Sequence, residues 1–215
     1  LSSLMLLVGF VLVLLVAYPI VSWQFVYLLS SPNLLTPIAG PSAGVLGAVS
    51  AFSGQDDTNI NTWFVGSSPP VDSLLPKEEL FYTLSIPKIG ISQATVNMGG
   101  EDLKKSLIAW PNSVKPGQPG NVIIFGHSAL PSFYNPRSYT SIFTHIYDLN
   151  YGEKVYIDYD GIRYTYEIES KKVIAPTDLS ILEQRYDAPR VVMITCLPPG
   201  TLLLRGVVTA RLVAT

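Results

Sequence analysis

Only Cys196 carries a thiol in this chain, and only His127 and His145 carry an imidazole. A lone cysteine cannot close an internal disulfide, and one Cys with two His falls short of the four ligands a structural zinc usually takes. Two readings of Cys196 therefore compete. It is packing material, since free Cys is among the most buried residue types, or it is a nucleophile, which needs a positive neighbour to hold a thiol of pKa ~8.5 as thiolate. His127 closes the apolar run NVIIFGH and Cys196 closes RVVMITC, each followed by a loop containing Gly or Pro. Strand ends deliver a side chain rigidly to an open edge, where loops can be shaped around a substrate. His145 sits inside THIYDL, a helical candidate, and reads as an ordinary surface histidine. Arg205 interrupts the apolar run LLLRGVVTARLV nine positions after Cys196, where the LPPGT turn would fold it back beside the thiol. Alternation alone would explain it as an outward-facing arginine. Beside the cysteine, its guanidinium could stabilise an oxyanion and hold a peptide carbonyl.

The elements that would position these groups are strands. From about Glu79 onward, short alternating or apolar runs are separated by turn residues, the pattern of an all-β sandwich or barrel. LFYTLSIPKIGI (Leu80 to Ile91) reads as one strand interrupted at Pro87, a residue confined to edges and bulges. Lys154 to Ser170 alternates on both sides of Asp160-Gly161, a hairpin with a type I′ turn. Short helices are expected at Glu101 to Leu107, Ser141 to Leu149 and Thr177 to Gln184, the last capped by Thr177. About eight strands in ~135 residues suit a closed barrel.

The front of the chain is different. No Asp, Glu, Lys or Arg occurs before Asp56, although charged residues make up 14% and apolar ones 48% of the whole. The uncharged apolar run from Leu4 to Val21, continuing to Leu29, is long enough to cross a ~30 Å hydrocarbon core, which takes ~20 helical residues. Tyr18, Trp23 and Tyr27 resemble an interfacial aromatic belt. A cleaved signal peptide has a shorter apolar region of ~7 to 15 residues followed by a small-x-small site. The expected organisation is a mostly β protein: an anchor over 1–29, a Ser/Pro/Gly-rich tether over 30–76 and a β-barrel over 77–215. A formal net charge of −2 gives no reason to expect a nucleic-acid partner.

Taken together, the ITC strand end, the loop and the arginine on the next strand resemble the TLxTC motif and following Arg of the sortase family. GHS after a buried strand resembles the sortase catalytic histidine. LSIPKIGI resembles the start of the sortase barrel, and FTHIYDLNYGEKVYI resembles the family's F-x-x-L-x-x-G-D-x-V segment. The four motifs fall in order across Leu80 to Ala214. The resemblance implies an eight-stranded barrel with Cys196 as nucleophile, His127 as acid/base and Arg205 as oxyanion or substrate-positioning residue. It implies a cysteine transpeptidase outside the cell, single-pass in the membrane, that cleaves an LPxTG-like sorting motif of secreted proteins. The acyl group would pass to an amine of a cell-wall precursor or a pilin. No cofactor is implied, and the acidic residues show no EF-hand-like loop. Val192 and Met193 replace the usual Thr and Leu. The Cys-to-Arg spacing is like that of pilin-type sortases, yet the tether has no Asp-Pro-aromatic lid motif, so the subclass stays open.

Two other function classes fit the residues. One is another envelope cysteine enzyme, an L,D-transpeptidase or a papain-like peptidase, although papain-like enzymes place Cys at a helix start. The other is a non-catalytic, membrane-tethered β domain in which Cys196 is core and Arg205 is surface.

Overall fold

In the computed structural model the described residues are Val13, Tyr18, Trp63 and 80–215. The chain divides into two units, Leu1–Ala48 and Val49–Thr215. All of the expected anchor but Val13 and Tyr18, and all of the expected tether but Trp63, lie outside the described residues. Val13 and Tyr18 are helical and exposed. Among the described residues, no helix is long and apolar enough to cross a membrane.

The second unit is built on eight strands. They are β1 (Leu80–Ile86), β2 (Ile91–Met98), β3 (Leu107–Ala109), β4 (Gly120–Phe125), β5 (Lys154–Tyr159), β6 (Ile162–Ile174), β7 (Pro189–Leu197) and β8 (Leu204–Ala214). They close into a barrel in the order β1-β2-β3-β4-β7-β8-β6-β5. Closure removes the free edges that an open sheet would leave for other chains to pair with. The β2–β3 and β4–β7 pairs are parallel, and the rest are antiparallel.

Local chemistry accounts for the sharpest turns. Asp160 (φ 51°) and Gly161 (φ 76°) both lie at positive φ, as a type I′ hairpin requires, and join β5 to β6 through Tyr159 and Ile162. The run around Pro87 is not one broken strand. Pro87–Ile89 forms a 3-10 turn that ends at Gly90 with φ 73°, so the chain reverses and β1 and β2 pair antiparallel. The three expected helices are also corrected. Residues 101–106 form a bridge and turns leading into β3, while the other two segments contain only the 3-10 turns Ile146–Asp148 and Ser180–Leu182. Each is shorter than the ~12 to 15 residues at which a helix becomes stable without tertiary support. Here the barrel takes their apolar residues instead, with Ile142, Phe143, Ile146 and Leu149 all buried in its main cluster.

Side-chain alternation sorts the buried residues into two clusters. Val122, Ile124, Val191, Met193, Val208 and Ala210 join residues of every other strand in the barrel interior. Their neighbours Ile123, Phe125, Val192, Ile194, Cys196 and Val207 point the other way. They pack with Trp63, Leu103, Ile108 and Trp110 on the outer face. Strands β4 and β7 are thus buried on both faces, which is why their sequences read as near-continuous apolar runs.

Candidate active site

Cys196 is the penultimate residue of β7, Arg205 the second of β8, and His127 lies two residues beyond β4. Cys196 and Arg205 are direct cross-strand partners in the antiparallel β7–β8 pair, so their side chains project to the same side of the sheet. The parallel β4–β7 register ends at Phe125 opposite Ile194. Continued by two places, it sets His127 level with Cys196. The three residues chosen from sequence therefore gather at one end of three adjacent strands, on the outer face of the barrel. They are shielded there: relative exposure is 6% for His127 and 3% each for Cys196 and Arg205.

The burial of Arg205 overturns the reading that alternation alone suggested, an arginine pointing into water. Its guanidinium is held by carbonyls: Nε and Nη2 donate to Trp63 O at 3.2 and 2.7 Å. Nη1 donates to Leu202 O at 3.0 Å and Leu204 O at 3.2 Å. Among the described residues no carboxylate pairs with it. Burial pushes its pKa down, and the thiolate charge of Cys196 pushes back up. A guanidinium is so strongly basic that it stays charged through such a shift. The result is a buried cation whose nearby anion, when it exists, is the cysteine sulfur. An apolar packing cysteine has no use for such a neighbour; a nucleophile does.

Trp63 is the residue that sequence reasoning missed. It is 1% exposed, and its ring lies 5.4 Å below the Arg205 guanidinium, 5.9 Å from the His127 ring and edge-on to Phe125 at 5.6 Å. Its carbonyl takes two of the Arg205 hydrogen bonds while its indole covers the imidazole. The only signal in the sequence is a large aromatic in a polar stretch, TNINTWFVG, that otherwise reads as tether.

The backbone around His127 is tied on several sides. Phe143 N–H donates to His127 O at 2.9 Å, and Ala129 N–H donates to Thr144 Oγ1 at 3.0 Å. Thr195 Oγ1 donates to Gly126 O at 2.9 Å and Ser128 Oγ to Cys196 O at 2.7 Å. Gly126 itself is required by close approach, because a Cβ there would stand 2.5 Å from Phe143 and 2.6 Å from Leu107 side-chain carbons. His145, by contrast, pairs through Nδ1 with Asp148 at 2.7 Å and stands edge-on to Tyr134. No cluster of His, Cys, Asp and Glu suited to a metal ion occurs among the described residues.

A family profile described as "Sortase domain" matches residues 84–213. Sortase D of Bacillus subtilis (strain 168) is 24% identical over 116 residues, which is 54% of this chain and 53% of that protein. This chain therefore spans about half the length of that relative. Among solved structures, a Clostridium perfringens Sortase D5 transpeptidase is 25% identical with a TM-score of 0.54, over 65% of this chain and 82% of its own. A lid mutant of Sortase A from Corynebacterium diphtheriae is 24% identical with a TM-score of 0.55, over 63% and 71%. Sortase C-1 from Actinomyces oris is 22% identical with a TM-score of 0.55, over 62% and 73%. The last two speak for the fold alone. With the eight-stranded barrel, the strand-end cysteine and the profile match over most of the chain, the protein belongs to the sortase family.

Proposed function

We propose that the chain is a membrane-anchored cysteine transpeptidase in which Cys196 is the nucleophile, His127 the acid/base and Arg205 the oxyanion donor. What supports this reading most is the cross-strand pairing of Cys196 with a buried arginine that has no carboxylate partner among the described residues. In the first step the Cys196 thiolate attacks the carbonyl carbon of a peptide bond. A C–S bond forms, and the carbonyl π electrons move to oxygen. Arg205, already desolvated, donates to that oxyanion in a low-dielectric setting where such hydrogen bonds are worth more than in water. Collapse breaks the C–N bond, the leaving amine takes a proton from His127, and a thioester remains. A second amine then attacks the thioester, His127 takes its proton, and the thiolate departs, leaving a new amide.

The substrate of this reading is an LPxTG-like sorting motif near the C-terminus of a secreted protein. The acceptor is an amine of a cell-wall precursor or a pilin. The apolar run over 1–29 would serve as a single-pass anchor with the barrel outside the cell. Trp63 adds one condition. Its carbonyl takes two of the Arg205 hydrogen bonds, so a peptide carbonyl that uses those two donors displaces it, and the indole then leaves the imidazole. Trp63 then acts as a cover of the resting site.

Incubating the full chain with a library of LPxTG-like peptides and amine acceptors tests the reading by mass spectrometry. An amide product that disappears in Cys196→Ala and His127→Ala is expected. A folded protein that yields neither product nor adduct across the library would favour a non-catalytic domain.

A further inference from the structure

The parallel ladder between β4 and β7 does not stop where its backbone pairing stops. Its last registered pair is Phe125 with Ile194, followed by one more rung, Gly126 N–H to Ile194 O at 3.2 Å. In a parallel ladder the next acceptors are the carbonyls of Gly126 and Cys196, used alternately from the two strands. Both are taken by side-chain hydroxyls: Thr195 Oγ1 donates to Gly126 O, and Ser128 Oγ donates to Cys196 O. One hydroxyl comes from β7 and the other from the segment that follows β4, on the two sides of the junction. Thr195 precedes the nucleophile, and Ser128 follows the imidazole.

We propose that Ser128 is a positioning residue that holds the His127 and Cys196 side chains at working distance by clamping the Cys196 carbonyl. The clamp is needed because the two strands diverge at this point. β7 continues to Leu197, whereas beyond Phe125 the chain leaves the sheet for the loop that Thr144 and Phe143 hold. With Thr195 and the last backbone rung, the donor on Cys196 O ties the two chain segments together beyond Phe125. Reacting groups misplaced by ~1 Å lose on the order of 100-fold in rate, so a single hydrogen bond here has leverage on chemistry far above its contribution to folding. The 2.7 Å contact has the usual length of a well-formed hydroxyl-to-carbonyl bond and is partly buried.

This inference rests on the transpeptidase reading for its kinetic half but not for its chemical half. Cys196 is the only thiol, so alkylation by iodoacetamide reports it without ambiguity in the full chain. The expected result for Ser128→Ala is a displaced pH–rate profile of alkylation and kcat lowered roughly 10-fold, with KM on an LPxTG-like peptide nearly unchanged, the size expected for one lost hydrogen bond. Ser128→Thr keeps the hydroxyl and should restore both. An unchanged alkylation profile in a folded Ser128→Ala variant would overturn the proposal, whatever the peptide assay gives. So would a loss that Ser128→Thr fails to repair while its thermal transition matches that of the parent. A displaced alkylation profile with no turnover in the parent protein would uphold the clamp and sink the transpeptidase reading.

Discussion

The two ends of the β7–β8 pair treat an arginine in opposite ways. At one end Arg190 lies opposite Arg211 and is neutralised by carboxylates, with bonds of 2.7 Å to Glu169 and to both oxygens of Asp187. At the other end Arg205 lies opposite Cys196, is buried, and among the described residues gives its hydrogen bonds to carbonyls. The carboxylates hold the Arg190 pKa up, and in return Asp187 is pulled down to about 2. Arg205 has no such partner among the described residues and is shifted down by burial. One arginine closes a strand end; the other stands opposite a thiol with no carboxylate on it among the described residues. A fold stabilised by its ion pairs would be expected to give the buried arginine the carboxylates, because removing one partner of a buried pair is what costs most. The opposite arrangement is what supports the proposal that the Arg205 end is the reactive one.

Substitutions can break this contrast, beginning with the largest effect. Cys196→Ala should abolish transfer, measured as product formation from an LPxTG-like peptide, while the thermal transition stays near that of the parent. Arg205→Ala should lower kcat/KM by ~100 to 1000-fold, the loss typical of one oxyanion donor. Arg190→Ala, its counterpart at the other end, should leave kcat/KM within about twofold and show its effect in thermal unfolding, as befits partly exposed ion pairs. If the two arginine variants lost activity equally, the contrast between the strand ends would fail. Trp63→Ala keeps the carbonyl but removes the indole, so the covered state is depopulated. Alkylation of Cys196 should quicken by ~10-fold or more, because apparent reactivity scales with the fraction of molecules whose site is open.

The smallest effect concerns acid. Asp187 has its folded pKa depressed to about 2 by Arg190, so it contributes stability above its unfolded value of ~3.9 that disappears as pH falls toward about 2. Because Asp187 is exposed, the contribution is small and salt-sensitive. The difference in melting temperature between parent and Asp187→Asn should be visible at pH 6 and should vanish near pH 2. A difference that grows with acid would contradict the pairing.

What could be read from sequence was whatever local chemistry or alternation specifies. The Asp160-Gly161 hairpin needs two positive φ values, and β4 and β7, buried on both faces, show as unbroken apolar runs. The juxtaposition of Cys196 and Arg205 followed from one short turn between two strands. The helical candidates were not legible, because a few apolar residues at helical spacing look the same whether a helix or a barrel wall buries them. β3 is three residues long and carries too little pattern to be seen. Trp63 escaped for a different reason. Its hold on Arg205 runs through a main-chain carbonyl, which every residue type supplies, across 142 positions of sequence. Ser128 was likewise invisible as a clamp, since a serine in a loop after Gly-His is ordinary until its acceptor is known to be Cys196 O.

The most direct test of the central claim is to quench the full chain in acid during incubation with an LPxTG-like peptide and to map the adduct by peptide mass spectrometry. The account predicts a thioester on Cys196 in the parent, its absence in Cys196→Ala, and slower formation in Arg205→Ala but not in Arg190→Ala. Acylation at another residue, or a rate of adduct formation unaffected by Arg205→Ala, would contradict it.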